Sequence, residues 1–152
     1  MKKLIMSLVL VVACHSSPPP VTRPVTVVTI GSGSGAPDPM SAIRGFLDAA
    51  NEPDLQAMSV LFGDTQGSAR EGLPRDDLEK RELIMVRCLR HDRYDIVKDT
   101  PSPGGGRTFI VNINYRGLLR QSNFQVVKGP SSRWYVQKFD LAALNDICTQ
   151  RT

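Results

Sequence analysis

The sequence predicts an α+β domain, with amino-terminal helices on an antiparallel sheet of about four strands and a short helix at the end. Three observations carry that expectation. Between residues 38 and 90, apolar side chains recur at helical spacing. Between residues 94 and 139 the period changes to two. Clusters of Pro, Gly and Ser separate the alternating segments, as turns would.

Asp38 suits an N-cap and Pro39 a first helical turn, so a first helix is expected over about 39–50. Its apolar face is Met40, Ile43, Phe46, Leu47 and Ala50, with Arg44 and Asp48 opposite. Asn51-Glu52-Pro53-Asp54 restarts the chain. A second, shorter helix presents Leu55, Met58, Leu61 and Phe62, and Gly63 ends it. Residues 63–74 are rich in glycine and are expected to form a loop. A third helix is expected over Asp76 to Arg90, its charged first half solvated and its apolar second half, Leu83 to Leu89, buried.

Strand pattern follows. Tyr94 to Lys98 is the first strand, and Pro101 to Gly106 a flexible hairpin loop. Over Thr108 to Arg116, Phe109, Val111, Ile113 and Tyr115 face one way, and Ile110, Asn112, Asn114 and Arg116 the other. That alternation predicts a half-buried antiparallel strand. Phe124 to Lys128, the turn Gly129-Pro130-Ser131-Ser132, and Trp134 to Phe139 form a second hairpin. In its last strand Trp134, Val136 and Lys138 alternate against Tyr135, Gln137 and Phe139. Asp140 is placed to cap a final helix over Leu141 to Cys148.

The amino terminus carries an address. Lys2 and Lys3 precede an apolar run from Leu4 to Val12, interrupted by Ser7. At about nine residues it suits a secretion signal and falls short of the ~20 that a spanning helix needs. Val11-Val12-Ala13-Cys14 resembles the lipobox of bacterial lipoproteins. The resemblance implies a diacylglyceryl thioether on Cys14, cleavage after Ala13 and acylation of the new amino terminus. Two or more acyl chains hold a membrane stably where one holds marginally. Residues 1–13 are therefore expected to be a signal peptide, and the membrane a partner through the lipid. His15 replaces the aspartate that retains many such proteins at the inner membrane, so the outer membrane of a bacterial envelope is favoured. The formal charge of +4 includes Lys2 and Lys3, so the processed chain stands near +2. With no long basic block, no nucleic-acid partner is expected.

Residues 14–37 follow as a tether rich in Pro, Ser, Thr, Gly and Val. Its ~25 residues reach roughly 25–30 Å as a flexible coil and about 75 Å near polyproline II. Within it, Val25 to Ile30 runs into Gly31-x-Gly33-x-x-Ala36, the outline of a dinucleotide fingerprint. Pro37-Asp38-Pro39 occupies the place where that fingerprint needs a helix to begin, and no second parallel strand follows. The stretch is read as a flexible spacer, with Val25 to Ile30 a candidate to join a sheet edge. No cofactor is expected.

The order of three helices and a strand meander, with the hairpin FQVVKGPSSRWYVQKF, resembles NTF2-like (cystatin-like) domains over residues 38–150. The resemblance implies a bent, cone-shaped sheet wrapped on helices, with a pocket at the open end.

With Cys14 lipidated, Cys88 and Cys148 are candidates for a disulfide in an exported domain, the alternative being two buried free thiols. A redox role lacks a CxxC pair, and a zinc site would need more ligands than His91 supplies. His91, beside Asp92, Tyr94 and Asp95, has the makings of a general base or of a helix-end histidine. Asn112, Asn114 and Arg116 share a strand face that is either a pocket lining or a solvent face. Two function classes follow. One is a non-catalytic binding or scaffolding domain for an envelope protein or small ligand, which the tether favours. The other is a small pocket enzyme, of isomerase or hydrolase type, using His91 and the neighbouring carboxylates.

Overall fold

A computed structural model describes residues 33–150. The signal segment, Cys14 and Val25 to Ile30 lie outside the described residues. Helix α1, Pro39–Asn51, opens on the expected cap: the Asp38 carboxylate accepts from the Ser41 amide at 2.8 Å and from its hydroxyl at 2.6 Å. These bonds favour the ionised cap and hold its carboxyl below the ordinary value. Ile43, Phe46, Leu47 and Ala50 are buried, as their spacing predicts. Helix α2, Leu55–Leu61, is capped the same way by Asp54, which accepts from the Ala57 amide at 2.9 Å.

Residues 63–74 are more ordered than a loop. Strands β1, Gly63–Asp64, and β2, Gly67–Ser68, pair as a minimal antiparallel ribbon, and the single turn α3, Ala69–Gly72, follows. Such short elements leave no periodicity to read. Helix α4, Arg75–Cys88, buries Leu78, Glu82, Met85 and Val86. Its apolar second half is not all inward, since Leu83 and Ile84 are exposed.

The main sheet is an antiparallel meander, β3 (Arg93–Ser102), β4 (Gly106–Tyr115), β5 (Leu118–Lys128) and β6 (Trp134–Phe139), in that spatial order. On β4, Phe109, Val111 and Ile113 are buried and Asn112 and Asn114 lie on the outer face, in the predicted alternation. β5 begins six residues before the expected Phe124. Its first half hides the pattern, because Ser122 points into the core while Leu119 is exposed. The Ser122 hydroxyl donates to the Asp140 carbonyl at 2.9 Å, which is why a polar side chain is tolerated there.

The predicted alternation of β6 fails at one place. The register shifts so that Val136 faces Val126 and Phe139 faces Phe124. Gln137 is the extra residue of this bulge, and Val136 and Phe139 both reach the core. A second bulge interrupts β3 between Ile96 and Lys98. Phe124 and Phe139 stack at 5.1 Å between ring centres, and Phe139 meets Phe46 of α1 at 6.3 Å. One continuous core thus joins the inner sheet face to α1, α2 and α4.

Asp140 accepts from the Ala143 amide at 3.2 Å, capping a 3-10 turn that leads into α5, Asn145–Cys148. The sulfurs of Cys88 and Cys148 lie at disulfide distance, 2.16 Å, joining α4 to α5.

At the other end, ordered contacts begin inside the segment read as tether. Ala36 and Trp134 exchange both backbone hydrogen bonds at 2.9 Å, extending the β6 edge by one antiparallel bridge. The Arg133 guanidinium donates to the Ser34 and Gly35 carbonyls. Gly35 has φ +74°, and a Cβ there would sit 2.7 Å from the buried Tyr135 ring. A side chain is excluded on both counts.

Candidate functional site

Two grooves flank α3. The first, about 610 Å³, lies against the β1–β2 ribbon and is lined by Phe62, Ser68, Glu71, Arg81 and Gln137 among others. The bulge on β6 brings Gln137 to this groove. The second, about 450 Å³, lies between α2, α3 and α4, and its lining includes Ser59, Arg70, Leu78 and Glu82. Leu73 lines both.

Among the described residues, two buried side-chain polar atoms lack a hydrogen-bond partner, Ser68 Oγ and Glu82 Oε1. One belongs to each groove. Glu82 is 3% exposed. Desolvation, helped by the negative charge of Glu79, pushes its carboxyl up to about 7. At neutral pH it is divided between acid and carboxylate. Arg70 and Arg75, which also line the second groove, have no ion-pair partner among the described residues.

The positions singled out from sequence lie elsewhere. His91 is buried, and its Nδ1 sits 2.8 Å from the Leu89 carbonyl. Its amide donates to Asn51 Oδ1 at 3.1 Å, and its ring meets Tyr94 edge-on at 5.1 Å. Burial, and then the carboxylate of Asp48, push the Tyr94 hydroxyl up to about 12, so it stays protonated. Asp92 accepts from the Arg116 amide at 2.7 Å, closing the β4–β5 turn. Arg116, at φ +49°, and Gly117, at φ +79°, form the two-residue hairpin loop, whose positive angles match the sheet twist. Arg116 therefore serves a turn, with its guanidinium 5.2 Å from the Tyr115 ring centre. Asn112 accepts from Gln121 at 2.9 Å on the outer sheet face. His91, Asn112, Asn114 and Arg116 line neither groove beside α3.

No protein-family model matches the chain, and no curated protein matches it.

The sequence-based reading missed Ser68 and Glu82. Ser68 sits in a glycine-rich stretch with no pattern. Glu82 had a signal: Leu78, Glu82, Met85 and Leu89 fall at spacings of four, three and four, one stripe of a helix. An acid on an apolar stripe marks a buried carboxyl. The surrounding charge run, Asp76 to Glu82, disguised it as part of a solvated face. Among the described residues, no cluster of three His, Cys, Asp or Glu side chains is placed to hold a metal, and no helix is long and apolar enough to cross a membrane.

Proposed function

We propose that this chain is a lipid-anchored lipoprotein of the bacterial cell envelope whose folded domain is a non-catalytic binding or scaffolding module. The observation that carries the proposal is Val11-Val12-Ala13-Cys14 at the end of a short, positively flanked apolar run. The sulfur pair of Cys88 and Cys148 supports it, since structural disulfides belong to exported proteins. The polar groups near His91 are engaged in holding a helix end and a hairpin turn, which favours binding over catalysis. The run of helices followed by a bulged meander supports an NTF2-like domain type. That assignment concerns architecture and implies no reaction.

The test is metabolic palmitate labelling with fractionation. The wild-type chain is expected to carry label and to pellet with the envelope, with residues 1–13 missing from its intact mass. Cys14→Ser is expected to lose the label and leave the membrane. An unlabelled wild-type chain with residues 1–13 still attached would overturn the proposal.

A further inference from the structure

We propose that the groove between α2, α3 and α4 binds a small zwitterion of the amino-acid or short-peptide class, its ammonium on Glu82 and its carboxylate on Arg70 and Arg75. The inference deepens the reading of the domain as a binding module and rests on it.

Glu82 anchors the proposed site. A carboxyl this buried, with Oε1 unpartnered, is costly for a fold to keep and lacks a hydrogen-bond donor. It lines a groove of about 450 Å³, within the span typical of small-molecule sites. An ammonium supplies both donors and the opposite charge. Glu79, on the same wall, adds to the pull on a cation. Arg70 and Arg75 supply forked donors for a carboxylate and have no ion-pair partner among the described residues. Leu55, Leu73 and Leu78 give the groove an apolar wall for an aliphatic side chain.

The same geometry predicts a pH dependence. Glu82 binds an ammonium best as the carboxylate, which forms as pH rises through about 7. Besides Glu82, the charged groups lining this groove are Glu79 and Arg75 of α4 and Arg70 of α3; α2 contributes none to the lining. From α1, which also packs on α4, Asp48 bonds the Tyr94 hydroxyl and Arg44 acts on the same tyrosine.

The test is calorimetric titration of the full chain, purified in detergent, with glycyl-L-leucine. Binding is expected to strengthen several-fold between pH 6 and pH 8. N-acetylglycyl-L-leucine, which lacks the ammonium, and glycyl-L-leucinamide, which lacks the carboxylate, are each expected to bind at least tenfold more weakly. Glu82→Gln, checked for an unchanged circular dichroism spectrum, is expected to lose tenfold toward glycyl-L-leucine. No binding at millimolar dipeptide, equal binding of the blocked analogues, or undiminished binding by Glu82→Gln would overturn the inference. The blocked analogues decide the matter even if the variant fails to fold. None of these results depends on palmitate labelling, so the anchor and the groove stand or fall separately.

Discussion

Ser122 and Glu82 are both polar side chains buried against the core, and their fates differ. The Ser122 hydroxyl donates a hydrogen bond to the Asp140 carbonyl and is fully accommodated. Glu82 has no such outlet for Oε1, and its ionisation is coupled to folding. Its carboxyl rises from 4.5 in the open chain to about 7 in the fold. The folded chain therefore holds this proton more tightly than the unfolded one. The resulting stability is fully present below about pH 4.5 and is lost as pH rises through about 7, a total on the order of 3 kcal/mol. Glu82→Gln removes the ionisation and keeps the shape. Its urea midpoint is expected to change less than that of the wild type between pH 5 and pH 8, and to exceed it at pH 8. Parallel pH profiles for the two proteins would contradict this account.

Elements announced by caps and periods were legible. α1 begins at the Asp38 carboxylate the sequence offers as a cap, and it buries the face its spacing defines. Asp38→Ala is expected to cost about 1 kcal/mol in thermal or urea unfolding, with the loss read at neutral pH where the cap is ionised. What escaped the sequence has physical causes. The start of β5 inverts the usual preference, with a serine inside and a leucine outside, and only the carbonyl of Asp140, far along the chain, explains it. The bulge at Gln137 breaks the two-residue period because neighbouring strands, not local sequence, set the register. The β1–β2 ribbon and α3 are too short to show a period, so the grooves beside them were invisible. The residue types of His91 and Asn112 left a structural and a functional reading open, because residue type does not reveal that local partners already occupy them.

For the molecule as a whole, the pair Cys88 and Cys148 spans 60 residues and holds the carboxyl-terminal turn to the helical layer. In the chain-entropy treatment a loop of this length contributes about 4 kcal/mol. Reduction under native conditions, or Cys148→Ser, is expected to lower stability by up to that amount and to expose Ile147, now buried between α5 and the core. Denaturant titration with and without reductant measures it, and equal midpoints would show that the thiols are not joined. The amino-terminal attachment has a mechanical side. Any load arriving along the chain from residue 33 enters through the Ala36–Trp134 bridge and the grip of Arg133, and so reaches the rim of the sheet before α1. That contact is a latch of a few residues. Its release yields roughly 13 Å of slack from residues 34–37 while the sheet and helices stay folded. A small, early extension step in single-molecule pulling, moved to lower force when Arg133 is replaced by Ala because only the backbone bonds of the latch remain, is the expected signature of a domain that gives a little before it breaks.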